Sequence, residues 1–383
     1  MSLRVLIVPD KFKGTLTALA AAQAIAAGWR KARRPDTLTL LPMSDGGDGF
    51  GAILSGLLQA RVQTTKTVDA AGRPLAARWW WEATGRTAII ESASVIGLAQ
   101  LPPGEFHPFQ LDTRGLGAVL HAASEKGARR CLLGIGGSAT NDGGFGLARA
   151  LGWEFLDAKG EPITEWTRLH ALARLRAPAR TRWFEELIVA VDVQNPLLGP
   201  RGCSRIYGPQ KGLTKKDFAP AEKCLRRFAE VVARDLSRNC SAEPGAGAAG
   251  GLGYGLRALL GARLQPGFDL FSRHADLPRH LRAADLVITG EGALDRSTLM
   301  GKGVGEVAHR CHKLGVPCVG LGGAVKDLAP LRRWFAQAHG LTGLTSAKQA
   351  MAAPDKWLAT LAERTARALP NGLPRRPVLP AAA

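Results

Sequence analysis

The sequence predicts an α/β fold of two domains: a Rossmann-like parallel-sheet domain built from both chain ends, and a mixed α/β domain inserted between them. Three observations predict it. The first forty residues read strand, helix, strand; the last third repeats that pattern; and residues 62–95 alternate in short segments broken by turns. At 383 residues the chain also exceeds what one core usually sustains, about 250–300 residues. The expected boundaries are soft and lie near 62 and 282. They give 1–62 plus 282–383 for the discontinuous domain and 63–281 for the insertion.

Each element follows from local chemistry. Arg4–Val8 is a branched apolar run stopped at Pro9-Asp10, which reads as a strand. Thr15 or Thr17 can cap a helix carrying Ala18, Ala22, Ile25 and Trp29 on one side. Lys31, Arg33 and Arg34 suit the negative end of its dipole, and Pro35 ends it. Thr37–Leu41 is the next strand, so the pair is parallel with a crossover. In the last third, Leu286–Thr289 reads as a strand, Gly290–Gly303 as a loop, and a helix follows to about Leu314. Pro317–Leu321 is a further strand, and a helix opens at Pro354-Asp355 after the apolar run Leu341–Leu344. Between these parts, Gly72-Arg73-Pro74 and Thr84-Gly85-Arg86 are turn signals joining antiparallel strands. The segments 143–152 and 250–261 echo one another, each a glycine turn feeding a helix.

Composition bounds the function. No apolar run reaches the ~20 residues of a membrane span, and the opening residues do not form a signal peptide, so a cytoplasmic protein is expected. Six cysteines at 131, 203, 224, 240, 311 and 318 have no metal-ligand spacing and read as reduced packing thiols. The formal net charge is +19, which favours anionic ligands. The basic residues are dispersed and carry no nucleic-acid motif, so neither a nucleic acid nor a membrane is expected as a partner.

Five loops combine glycine with carboxylate, amide or lysine at expected strand ends, where open α/β sheets bind ligands. In VPDKFKGT (8–15), Lys11 and Lys13 stand ahead of a helix, as phosphate contacts or as exposed loop lysines. In PMSDGGDGF (42–50), Asp45 and Asp48 flank two glycines, suited to Mg²⁺, to a ligand hydroxyl, or to a plain Asp-Gly turn. LLGIGGSATNDGG (132–144) lets backbone approach a phosphate through Gly136 and Gly137, and adds Ser138, Thr140, Asn141 and Asp142. Read literally, Gly134, Gly136 and Ala139 also satisfy a dinucleotide-binding spacing, which leaves an NAD(P)-linked oxidoreductase as a rival reading. In LIVAVDVQNPLLGPRG…YGPQKG (187–212), Asp192 suits a general base or a metal ligand, or forms an Asx turn with Asn195 before Pro196. Lys211 in the same segment is a phosphate candidate. ITGEGALDRSTLMGKG (288–303) carries Glu291, Asp295 and Gly301-Lys302, and lacks the hydroxyl that a Walker loop places after its lysine. Together these groups match the needs of phosphoryl transfer: amides and lysines to spread charge, carboxylates for Mg²⁺, and an acceptor for the hydroxyl proton.

VPDKFKGTLTA, PMSDGGDG, GIGGSATNDGG, DVQNPLLGPRG…GPQKG, GAGAAGGLG and VITGEG…GK occur here in the order in which they stand in bacterial-type glycerate kinases, and the sequence resembles that family from about Val8 to Ala308. The resemblance implies a two-domain enzyme using ATP and Mg²⁺ on D-glycerate in an interdomain cleft, with 2-phosphoglycerate the expected product, and leaves monomer and homodimer open. From the chemistry of these loops, at positions that the resemblance supports, Asp192, Lys13 and Lys302 are the expected catalytic set. Ser138, Asn141, Asp142 and Asn195 are expected on substrate, and Gly136, Gly137, Lys211, Gly290 and Gly301 on the nucleotide. Asp45, Glu291 and Asp295 are expected on the metal. The chain departs from the family pattern at Lys11, where serine is usual, at Asp48, where glutamate is usual, and at Ala293, Arg296 and Ser297.

Overall fold

The computed structural model describes residues 2–12, 14–299 and 303–369. Lys13, Gly301 and Lys302, three of the expected site residues, lie outside the described residues. The strands in chain order are β1 (Arg4–Pro9), β2 (Thr37–Leu40), β3 (Arg61–Val68), β4 (Pro74–Glu82), β5 (Thr87–Glu91), β6 (Arg130–Gly134), β7 (Glu154–Leu156), β8 (Arg174–Arg176), β9 (Glu186–Val191), β10 (Arg263–Pro266), β11 (Leu286–Leu294), β12 (Cys318–Val325) and β13 (Gln337–Gly340). The chain forms two compact units, one of residues 1–45 and 268–383, the other of 46–267. The helix Phe50–Leu57 belongs to the second because it packs on β4 and β5 of that unit.

The unit built from both ends is a five-stranded sheet in the order β13-β12-β11-β1-β2, parallel throughout. Its first helix is Ala18–Ala32, and Thr17 caps it by accepting the Ala20 amide at 3.1 Å. That helix buries Ala21, Ala22, Ile25 and Trp29 in a core with Val5, Ile7, Ile288, Val319 and Leu358. Gly28 is required there, since a Cβ would stand 1.9 Å from the Ala359 carbonyl oxygen of the helix Pro354–Ala368.

β11 runs to Leu294, past the Gly290 at which a loop was expected. The extension is paired, Ala293 with Ala324 and Leu294 with Val325. Gly292 and Gly323 hid it: a Cβ on Gly323 would lie 2.5 Å from the Gly292 carbonyl, so a close crossing demands residues of poor strand propensity. The edge strand β13 precedes the apolar run at Leu341, which is a short 3-10 turn.

The inserted unit is a six-stranded mixed sheet, β10-β9-β6-β5-β4-β3. β3, β4 and β5 form the expected antiparallel meander, whereas β5, β6, β9 and β10 are parallel neighbours. β7 and β8 pair separately. The two glycine–helix echoes meet within this unit. Gly144 precedes the helix Phe145–Ala150, and a Cβ on it would lie 3.1 Å from the Cα of Gly255 in the segment Ala248–Leu260. A Cβ on Gly255 would stand 2.4 Å from the Gly143 carbonyl oxygen. Close packing of two backbones accounts for glycine in both segments.

Candidate active site

In the end-built unit the chain leaves β1 towards β2, while β11, β12 and β13 step away on the other side. The strand order therefore reverses between β1 and β11, the point at which such sheets bind ligands beyond their carboxyl ends. Asp10 follows β1 directly, and its amide donates to the Gly290 carbonyl at 2.8 Å. Asp10 is 9% exposed. Burial and then the Asp45 carboxylate push it up to about 7; Lys11 pulls it back, and Glu291 adds to the rise. Three carboxylates thus crowd one another at the reversal.

These are hard oxygen donors of the kind Mg²⁺ takes, and Mg²⁺ in phosphoryl transfer normally uses one or two carboxylates with waters and substrate phosphates. Among the described residues no group of three or more His, Cys, Asp or Glu side chains is placed to hold a metal ion. Asp295 is engaged otherwise: its Oδ1 accepts the Ser297 amide at 2.7 Å and the Ser297 hydroxyl at 2.6 Å, closing a turn. Thr298 donates to Glu291 Oε1 at 2.7 Å and orients it. Gly290 is set by packing, since a Cβ there would lie 2.1 Å from the Leu321 carbonyl oxygen.

In the inserted unit, the segment Gly134–Gly144 follows β6. It is held from several directions. The Gly136 amide donates to the Gly46 carbonyl at 3.1 Å, so that amide is occupied by the protein itself. A Cβ on Gly136 would stand 2.6 Å from Gly47 Cα, and one on Gly137 2.3 Å from Asp48 Oδ1. Glu91, at the end of β5, accepts the amides of Gly49 and Gly51 at 3.0 and 2.9 Å and fixes that adjoining turn.

Asp142 is fully buried. Its Oδ2 accepts the Thr113 amide, the Thr113 hydroxyl and the Gly146 amide at 2.9, 2.7 and 2.9 Å, and its Oδ1 accepts the Gly144 amide at 3.2 Å. Burial and Asp112 raise it to about 6, against the pull of these donors. It fastens the loop to the helix Phe145–Ala150. Lys211, 7% exposed, donates from Nζ to Ser138 Oγ at 3.0 Å and to the Thr140 carbonyl at 2.7 Å. Burial lowers it to about 8, with Cys203 and Asp142 opposing.

Asn141 donates from Nδ2 to Ser204 Oγ at 2.9 Å, whereas its buried Oδ1 and the buried Thr140 Oγ1 meet no partner among the described residues. Such atoms are costly to leave unpaired. The Gly250 carbonyl accepts the Gly143 amide at 3.0 Å, and the left-handed Ala249–Gly251 turn lies directly on the loop.

Asp192 follows β9 at an exposed position. Asn195 accepts the Tyr207 hydroxyl at 2.6 Å and donates to the Arg201 carbonyl at 2.8 Å, so its amide ties its own loop together. Burial, then Asp192 and Cys203, raise the Tyr207 phenol to about 12.

The dinucleotide spacing at Gly134–Ala139 fails in structure, because the following helix opens only at Phe145 rather than within the motif. The family model described as the glycerate kinase family matches residues 5–370. The chain belongs to the glycerate kinase family.

Relatives bear this out. A glycerate kinase of Halalkalibacterium halodurans is 38% identical over 325 residues, 84% of this chain and 85% of that protein. A glycerate 2-kinase of Escherichia coli is 36% identical over 331 residues, 85% and 86% of the two chains. A crystal structure described as glycerate kinase 2 from Salmonella typhimurium LT2 is similar with a TM-score of 0.78 at 31% identity, covering 96% of this chain and 98% of that one. Membership in this family makes the protein a kinase.

Sequence reasoning missed five residues that the fold brings into play: Asp10, Glu91, Thr113, Ser204 and Tyr207. Asp10 and Glu91 carried a signal, being carboxylates directly at strand ends. The other three are recruited over 29, 63 and 12 residues to Asp142, Asn141 and Asn195 and carried none.

Proposed function

We propose that this protein transfers the γ-phosphoryl group of ATP to D-glycerate in the cytoplasm, giving ADP and 2-phosphoglycerate. The observation that carries the reading is the segment Gly134–Gly144. It is anchored beyond a parallel strand, yet leaves Thr140 Oγ1 and Asn141 Oδ1 buried without partners among the described residues. Family membership makes a hydroxy acid the apt ligand for this loop.

In the step we assign, the substrate hydroxyl oxygen bonds to the γ-phosphorus as the bond from that phosphorus to the β,γ-bridging oxygen breaks in line, and ADP leaves. Asp192 takes the hydroxyl proton. Asn141, with Thr140, orients the substrate; Ser138, held by Lys211, sets the loop. Asn195 and Asp142 act by holding loops rather than by touching substrate. Asp45 and Glu291 would hold Mg²⁺, which supplies neutralisation of the phosphate charge when bound. Asp295 supports this set through its turn. Lys13 and Lys302 retain the phosphate-binding roles that their motifs suggest.

The 2-hydroxyl is favoured because a relative of 36% identity is described as a glycerate 2-kinase. Phosphorus NMR of the product from D-glycerate and Mg·ATP tests the reading: a 2-phosphoglycerate signal is expected, and a 3-phosphoglycerate signal would overturn the regiochemistry. Asp192→Asn should lower kcat by about 10²-fold or more with folding intact. Near-normal turnover would remove Asp192 from the proton-accepting role.

A further inference from the structure

We infer that the inserted unit carries a second anion site, at the opposite end of its sheet from the Gly134–Gly144 loop, that takes a small phosphorylated dianion or trianion. The site is a pocket of about 380 Å³ bordered by Arg129, Arg180, Arg182, Trp183, Phe184 and Glu185. It lies where β6 and β9 begin, at Arg130 and Glu186, whereas the loops described above follow the ends of those strands. It is therefore separate from the Gly134–Gly144 loop by the length of a strand.

The arginines are held in a way that leaves their charge uncompensated. Arg180 donates from Nη2 to Ser124 Oγ at 2.6 Å and to the Trp183 carbonyl at 3.2 Å, and its guanidinium lies 4.5 Å from the centre of the Trp183 ring. Arg182 donates from Nη2 to the Glu185 carbonyl at 2.7 Å and from Nε to the Phe184 carbonyl at 3.3 Å. All these acceptors are neutral. Among the described residues only Arg129 meets a carboxylate, Glu185 at 3.4 Å, and both partners of that pair are largely exposed.

Three guanidiniums against one carboxylate leave two positive charges around the pocket. Neutral acceptors and an aromatic face fix the arginine stems without neutralising them, which preorganises the donors for an incoming anion. Guanidinium forks match phosphate oxygens in geometry as well as charge. The Trp183 face is already covered by Arg180, so the pocket offers charge and N–H donors rather than a stacking platform. A compact phosphate group fits this better than a nucleobase.

Inorganic pyrophosphate is the probe, titrated calorimetrically into the full chain and into the R180Q/R182Q variant at low salt. Both arginines are exposed, and thermal unfolding confirms that the variant folds. The wild type should take up one more equivalent than the variant, with that binding at least tenfold weaker in 0.3 M salt. Equal stoichiometry and affinity for the two proteins would overturn the proposal. Tryptophan fluorescence gives an independent arm: pyrophosphate should change the wild-type emission, and the change should disappear in W183F. A signal that survives W183F places the anion elsewhere. Because the pocket lies outside the phosphoryl-transfer machinery, kcat/KM for the substrates should be unchanged in R180Q/R182Q without added anion; a large loss would also count against a separate site.

Discussion

The ammonium group of Lys211 donates to the hydroxyl of Ser138 at 3.0 Å across 73 residues of chain, from a buried position. It also caps the Thr140 carbonyl, so one side chain binds two points of the glycine-rich loop. Lys211→Met keeps the stem and removes the donors. It should lower stability by about 1–3 kcal/mol and kcat/KM by about 10²-fold, read by thermal unfolding and steady-state kinetics. A variant with a normal kcat/KM would show that the loop does not need this clamp.

The same lysine predicts opposite pH trends for activity and stability. Its folded-state value is lowered to about 8 from 10.5. Between those values the unfolded chain keeps a proton that the folded chain has lost, so this group makes stability rise with pH in that window. The ammonium that holds Ser138 is meanwhile lost above about 8, so kcat should fall there. Wild-type turnover that stays flat from pH 7 to 10 would refute the coupling.

Asp10 titrates the other way. Its folded value is raised to about 7 from 3.8, so its contribution is full below pH 3.8 and is lost as pH rises through 7. In EDTA, Asp10→Asn should remove that decline and raise Tm by several degrees at pH 8, with little effect near pH 4. Asp45→Asn should give part of the same gain by removing one repelling charge. Parallel pH–Tm curves for wild type and D10N would show that the carboxylates do not crowd.

Two glycines of similar backbone conformation should respond differently to alanine. Gly250 has φ +68°, and a Cβ on it would stand 2.0 Å from the Thr140 carbonyl oxygen; Gly261 has φ +69° and open space. Gly261→Ala should cost only about 1 kcal/mol of left-handed strain, whereas Gly250→Ala should cost several times as much and displace the loop. Chemical denaturation distinguishes them, and equal losses would show that strain, rather than contact, governs both.

Thr113→Val tests a residue with no sequence signal. Its hydroxyl donates to Asp142 and accepts the Leu147 amide, so valine should destabilise the fold by about 1–3 kcal/mol. Thr113→Ser should restore most of the loss.

Much of the framework was legible in the sequence because it depends on near neighbours. Thr17 as one of two candidate caps, the parallel β1–β2 pair and the meander of β3 to β5 follow from periodicity, capping and turn chemistry within each short segment. β11 beyond Gly290 was not legible, because Gly292 is chosen for a crossing with Gly323 thirty-one residues away. The echo of 143–152 and 250–261 was visible, but its cause, backbone contact at Gly143, Gly144 and Gly255, needed the packed unit.

The sequence by itself determined an α/β chain with glycine, carboxylate and lysine loops at its strand ends, enough to specify a phosphoryl-transfer chemistry and, through its ordered motifs, a family. Tertiary structure decided which of those polar groups the protein keeps for itself. The Asp142 carboxylate, the Gly136 amide and the Asn195 side chain are engaged by partners within the fold, while Thr140 Oγ1 and Asn141 Oδ1 meet none among the described residues. Local sequence sets what a side chain can donate or accept, but burial and partners brought from distant segments determine whether that capacity remains available.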